Sequence, residues 1–584
     1  VGEGIRAEAT PVSGVEMLVV AVAAIVVIAA ATTVAPKVRI AGPLILVAIG
    51  LGVSLLPFVP VVEVDPDIIL VGVLPPLLYS AAVSLPAIEF RRDLRPIAGL
   101  SVLLVLISSV VLALFFLWAI PGLGFPLALA LGAILSPTDA VATTIAKRLG
   151  ISRRVVTLLE GESMLNDATS LVLLRTAIAA AGVGSVHFGE FALSFVWGVI
   201  VAVIIGALIG WANLRMRAFI SNSAANTAVG FTVPFLAYLP TEQLGGSGLV
   251  AAVVAGIVTG QGAARRFTPE QRLSDELNWR TVELMLEGAV FLLMGLELKD
   301  LLLDNAGDGL GRAVTLAAGA LLIVLGVRTV YVGVLVGLQS TRARRLQRER
   351  LDAITARIDL IHPPDTPAPP HLSPRHRATV SGVRAKIGRA YADLDYYAAS
   401  PLGWKHGAVI VWAGMRGVVT LAAAQTLPRD TDERSLVVFV AFLVAVGSLM
   451  LQGLTLPGVV KLLRMPRADE QVTRSEQDAL DDELRDAASG AVSDAHVRRR
   501  DGSLFDDAFL AEIGPRLVDP PEDAGLHLVD RLELRLALIR VMRSRLEQVS
   551  RSGRFSTAAL RHALAELDAD QLSLELRLED EAGS

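Results

Sequence analysis

The stretch Glu160-Gly161-Glu162-Ser163-Met164-Leu165-Asn166-Asp167 sets three carboxylates, a hydroxyl and an amide inside an apolar run from Val155 to about Ala181. A run of that length crosses a bilayer as a helix. Carboxylates at such depth are costly and are kept for a purpose. Asp167 lies 12 residues beyond Val155, so at about 1.5 Å per residue it stands roughly 18 Å in, near the midplane. Glu162 and Asp167 are five residues apart and point about 140° from one another, so they do not share a site. Ser163, four residues before Asp167, and Glu160, seven before, lie on its face. Ser163 and Asp167 can therefore offer oxygens to one hard cation, which needs several ligands, with Glu160 nearer the mouth. Glu162 faces elsewhere and needs a cation of its own; for it the favoured reading is a packing ion pair.

A second group is Ser136-Pro137-Thr138-Asp139, also inside an apolar stretch. Pro137 removes an amide and clashes with the preceding turn, so the helix should break there. Ser136 is expected to cap the restarted half, with Pro137 in its first turn. Irregular backbone at this depth is tolerated only where protein or a water-filled cavity surrounds it. Gly414-Met415-Arg416-Gly417 is a second flexible point, of opposite charge. Paired broken helices point to a transport site at the midplane. Asp139 can offset positive half-helix N-termini and Arg416 negative C-termini. With Asp139, Asp167, Glu162, Glu287, Arg328 and Arg416 counted, the interior holds four acids against two arginines. That surplus suits a cation or a proton and argues against an anion path.

Long apolar elements must position these groups. The chain has 584 residues, 53% hydrophobic and 19% charged, with mean hydropathy +0.57. This composition reads as an all-α polytopic membrane protein. Apolar spans fall at about 16–36, 41–60, 67–86, 96–120, 124–147, 155–181, 190–213, 224–240, 245–263, 280–298, 311–338, 404–427 and 435–461, thirteen in all. The fifth and twelfth carry the breaks. One set of loops is rich in arginine and lysine: Lys37/Arg39, Arg91/Arg92/Arg95, Lys147/Arg148/Arg153/Arg154, Arg215/Arg217 and Arg265/Arg266/Arg272. The alternate loops lack them until Lys299, Arg312, Arg429 and Arg434. The positive-inside rule then puts the N-terminus outside and the C-terminus in the cytoplasm. Residues 1–15 carry Glu3, Arg6 and Glu8 rather than a basic leader, so the first span reads as a helix and not a signal peptide. The domain reading is a membrane part over 1–465, interrupted by a cytoplasmic linker at 339–403, and a cytoplasmic tail at 466–584. The linker opens on a basic run at 342–350 and turns at a proline-rich 362–370. The tail is partly helical, with apolar residues at helical spacing over 530–549.

A net charge of −5 gives no sign of nucleic-acid binding, and the absence of cysteine removes disulfide and thiolate chemistry. None of the eight histidines is deep in a span or at metal-ligand spacing. Without a nucleophile–histidine pair in the spans, an intramembrane enzyme is the least favoured class.

Taken together, Pro75-Pro76-Leu77-Leu78-Tyr79, Ser136–Asp139, Glu160–Asp167, Arg328 and Gly414–Gly417 resemble the NhaP-type monovalent cation:proton antiporters, relatives of the mammalian sodium/proton exchangers. The resemblance runs over roughly residues 15–465. It implies that Asp167 binds the cation or the proton beside Asn166, and that Ser163, Thr138 and Asp139 complete the sodium ligands. It implies that Glu162 pairs with Arg328 as a structural bridge, and that Glu287 is a glutamate between two domains. It further implies inverted repeats, a six-helix core domain beside a dimerising domain, a homodimer in the cell membrane, and an elevator-like movement without any cofactor. An Asn-Asp pair is associated with electroneutral exchange. Ser80 is a departure, standing where relatives carry an acid. The expectation is exchange of intracellular sodium, lithium or potassium for external protons, with the bilayer, monovalent cations and protons as the only small partners. The rivals are a potassium/proton antiporter and, of another class, a cation channel or membrane sensor without proton coupling.

Overall fold

The computed structural model describes residues 14–38, 40–56, 67–183, 188–220, 222–305, 309–338, 386–394, 396–397, 400–428, 431, 433–465, 470–493, 497–499, 502–506, 508–510 and 528–583. The basic run at 342–350 and the proline-rich turn at 362–370 lie outside the described residues, as does the outer loop at 61–65.

The architecture is all-helical. In chain order come α1 (Gly14–Val38), α2 (Gly42–Ser54), α3 (Leu74–Ser84, entered through a π-helical turn at Ile68–Val73) and the short α4 (Ala87–Arg92). Next, α5 (Leu94–Ala98) continues through a second π-helical turn, Gly99–Leu103, into α6 (Leu104–Ala119). Then follow α7 (Phe125–Leu135), α8 (Val141–Arg148), α9 (Arg153–Val183), α10 (Phe188–Arg217), α11 (Ser223–Gln243), α12 (Gly248–Arg266) and α13 (Pro269–Leu296). The membrane part closes with α14 (Leu298–Asp304), α15 (Gly309–Leu338), α16 (Trp404–Trp412), α17 (Val418–Gln425) and α18 (Arg434–Leu462).

Helix starts obey local chemistry. α13 opens with a capping box, Thr268 and Gln271 each bonding the other's backbone, and with Pro269 in its first turn. Asn222 caps α11 by accepting from Ala225 N at 2.9 Å. Six helices among the described residues are long and apolar enough to cross a membrane by themselves. Large side chains such as Leu322 and Val330 on α15 stand 71% and 70% exposed. A continuous apolar exterior of this kind is a liability in water and the expected face toward lipid.

The helices pack as two bundles. One joins α1, α2 and α3 with α10, α11, α12 and α13. The other joins α6, α7, α8 and α9 with α15, α16, α17 and α18. Contacts between the bundles are sparser; they run through α9 with α10, α12 and α3, through α17 with α13 and the Ile68–Val73 turn, and through α2 with α18. Buried ion pairs fasten the helix ends that the loop charges marked only as cytoplasmic. Arg154 and Asp93, 1% and 0% exposed at their side chains, meet at 2.9–3.1 Å. Ser400 O accepts from Arg154 at 2.9 Å, and Tyr396 donates to Asp93 at 3.0 Å. Burial, and then the Asp93 charge, hold the Tyr396 phenol above its usual value, so it remains a donor.

The tail contributes α19 (Glu470–Ser493), α20 (Leu528–Ser552) and α21 (Thr557–Gly583). The helical spacing at 530–549 thus lies within α20. These helices bury their own apolar cluster, including Leu480, Leu532, Leu536, Ile539 and Leu567. They also reach the membrane part: Asp568 pairs with Arg272 of α13, and Thr557 N donates to Glu89 Oε1 at 2.9 Å.

Candidate ion-binding site

The two broken helices cross. α7 ends at Leu135 and α8 begins at Val141; α16 ends at Trp412 and α17 begins at Val418. The intervening strands of chain touch through Asp139 N, which donates to Met415 O at 2.7 Å. At this crossing two N-terminal and two C-terminal half-helix ends meet in a small volume. Asp139 stands at the N-terminal ends, its Oδ1 accepting from Val141 N at 2.8 Å, with a further bond from the Val418 amide. Arg416 stands at the C-terminal ends, donating from Nε to Leu135 O at 3.1 Å and from Nη1 to Gly414 O. Each charge thus opposes the partial charge of the backbone groups it meets.

One local expectation is corrected. Ser136 does not cap α8; its hydroxyl donates back to Ala133 O at 3.2 Å, at the end of α7, and accepts from Ser109 at 3.2 Å. Pro137 likewise lies before α8 rather than in its first turn. The break spans 136–140, longer than a simple kink, so the residue bonding the new amides is Asp139.

α9 carries Glu162 and Asp167 on different faces. Glu162, 1% exposed, receives Arg328 of α15 in a bidentate pair, one contact being 2.8 Å from Nη2 to Oε2. Arg328 also donates to Ile410 O, at 3.0 Å from Nε and 2.9 Å from Nη2. Thr138 donates to Glu162 Oε1 at 3.3 Å and accepts from Asn166 Nδ2 at 2.6 Å. Thr138 and Asn166 side chains therefore belong to the Glu162–Arg328 network. The void beside it, lined by Glu162, Asn166, Arg328 and Arg416, measures about 10 Å³, at the lower edge of what one water needs.

Asp167 is differently placed. Partly buried, it lies within electrostatic range of Asp139, and its carboxylate has no hydrogen-bond or ion-pair partner among the described residues. Ser163, 7% exposed, donates to Glu160 O at 3.3 Å, which leaves its oxygen lone pairs for a cation. Both midplane arginines are already committed, Arg328 to Glu162 and Arg416 to carbonyls. The acid without a compensating group among the described residues is therefore Asp167, with Asp139 held by backbone amides. Across the gap, Glu287 on α13 acts electrostatically on the same region through Asp139 and Glu283. Ser80 of α3 donates to Glu283 at 3.5 Å.

Comparison with known proteins places the chain in a family. A model of the transmembrane sodium/hydrogen exchanger family matches residues 21–356. The chain belongs to that family. An uncharacterized Na(+)/H(+) exchanger of Mycobacterium tuberculosis is 28% identical, aligned over 96% of both chains. A sodium, potassium, lithium and rubidium/H(+) antiporter of Bacillus subtilis is 30% identical over 44% of this chain and 40% of its own length. The solved sodium proton antiporter MjNhaP1 of Methanocaldococcus jannaschii aligns with a TM-score of 0.53, at 16% identity, over 76% of this chain and 99% of its own. This exchanger is therefore a multi-pass transporter with the antiporter fold, of a family that carries cations against protons.

Sequence reasoning missed two residues at the mouth. Lys147 had weight only as a loop charge, yet its Nζ lies 2.5 Å from Glu160 Oε1. Glu283 falls near the start of its span and was passed over, although it is four residues, one helical turn, before Glu287. A 4-residue spacing of acids on one apolar helix was the available signal.

Proposed function

We propose that this exchanger expels sodium from the cytoplasm in return for one external proton, electroneutrally, with Asp167 as the group for which the two ions compete. The observation that carries the reading is the Asp167 carboxylate, without a hydrogen-bond or ion-pair partner among the described residues and within electrostatic range of Asp139, near a crossing whose arginines are already committed. Ser163 and the Thr138-Asp139 break supply further oxygens, and Asn166 positions the break through Thr138. An empty, ionised Asp167 is costly to carry through the occluded barrier, so the carrier crosses only with a cation or a proton aboard. That condition couples the two fluxes. The sparse contact between the two bundles supports an elevator-type movement of one against the other, in a homodimer of the cell membrane with its N-terminus outside and its tail in the cytoplasm.

The cation remains a choice within one class, since the Bacillus subtilis relative bears a name spanning sodium, potassium, lithium and rubidium. The test is cation-induced proton movement in everted vesicles, with sodium, potassium and lithium supplied separately. Wild type should respond to sodium, and Asp167→Asn should not respond to any of the three. Wild-type exchange in Asp167→Asn would overturn the reading. Cation currents that need no pH gradient would instead favour a channel.

A further inference from the structure

Lys147 lies in the last turn of α8, where a cation also suits the helix's negative end. Its ammonium is 2.5 Å from Glu160, with the lysine side chain 60% exposed and the glutamate 21%. Glu160 is two turns before Asp167 and on its face. Glu283 of α13, in the other bundle, accepts the Ser80 hydroxyl bond and lies within electrostatic range of both Lys147 and Glu160. The ammonium thus pairs with one carboxylate, two helical turns from Asp167, and lies within electrostatic range of a second. Arg280 acts on Glu283 and the tail's Arg561 on Glu160, so the mouth is not purely acidic.

We propose that Lys147 is a tethered cation that competes with the incoming ion for Glu160 and Glu283, and so sets the apparent cation affinity. An exposed lysine pair is weak, and its stem is flexible, so an arriving monovalent cation can displace it. The displaced ammonium swings toward water while the ion passes from Glu160 and Glu283 to Asp167. The inference rests on the exchanger reading above, with cation entry from the cytoplasm.

A purely structural pair and a competing cation make opposite forecasts. Breaking a strut from either side damages the same thing in the same direction. Removing a competitor helps the ion, whereas removing the attracting carboxylate hurts it. Lys147→Gln should lower KM for sodium roughly threefold to tenfold, and Glu160→Gln should raise it by a similar factor. In both the change falls on KM rather than on kcat, and Lys147→Arg should restore the wild-type KM. Glu283→Gln leaves the α8–α9 pair intact and should also raise KM, which covers the case of a Glu160 variant that does not fold.

The measurement is initial exchange rate against sodium concentration in everted vesicles, at matched protein levels and low ionic strength. Added choline chloride should shrink all three shifts by screening. An unchanged KM in Lys147→Gln, or a shift in the same direction as Glu160→Gln, overturns the proposal. Absence of exchange in wild type would defeat the proposed function itself, a result distinct from these.

Discussion

Glu162 and Asp167 stand a turn and a half apart on α9, and their surroundings differ in every respect that matters to an ion. Glu162 is closed in by Arg328, Thr138 and a water-sized void. Asp167 faces another acid and has no cationic partner among the described residues. A buried charge pair contributes little net stability, because desolvation consumes most of the attraction, yet removing one partner leaves a stranded charge. A buried charge without a partner is the reverse: the fold is relieved by its loss and the function is not. On the proposed function, one helix thus holds a group that fixes geometry and a group that binds the ion, told apart by what neutralises them.

The comparison breaks most visibly in a paired melting experiment. Arg328→Gln should lose about 3–5 kcal/mol of stability, because Glu162 is left charged and buried. Asp167→Asn should melt at or above the wild-type temperature while losing exchange. If both variants destabilise alike, the two acids have the same role and the division fails.

The glycines of the twelfth span sharpen the contrast with a single methyl group. A side chain at Gly414 would meet the Arg328 guanidinium, and one at Gly417 the Asp139 carboxylate. Gly414→Ala should cost about 1–3 kcal/mol by overpacking the strut. Gly417→Ala overlaps its neighbour more severely, so its melting shift should be at least as large, and it alone should lower the exchange rate by roughly tenfold, from misplacing Asp139. Equal effects on both readouts would mean that the crossing is one undivided unit.

Ser163→Ala is the mildest probe. Among the described residues its hydroxyl makes only a backbone bond, so stability should hold while KM for sodium rises roughly threefold to fivefold, as for one lost polar contact. An unchanged KM would remove Ser163 from the ion's ligands.

Much of this was legible before any coordinates. Apolar runs marked the helices, Pro137 marked the first break, and the five-residue offset placed Glu162 and Asp167 on different faces. What escaped the sequence was tertiary partnership. Arg154 and Arg217 read as loop charges, yet each is 1% exposed and paired, with Asp93 and with Asp275. The positive-inside rule counts charges along the chain and carries no information on which acid they meet. Ser136 was misread for a related reason: the length of a proline break depends on what the second broken helix offers, here Met415 O. Lys147 and Glu283 are 136 residues apart in the chain, and only the tertiary fold brings their charges within range of one another.

The most direct test of the central claim is proton release on sodium binding to the purified exchanger, followed with a pH indicator in weak buffer. Competition at Asp167 predicts about one proton released per sodium bound in wild type and none in Asp167→Asn, with Ser163→Ala still releasing protons at higher sodium. Undiminished release from Asp167→Asn would contradict the account and place the competition on another group.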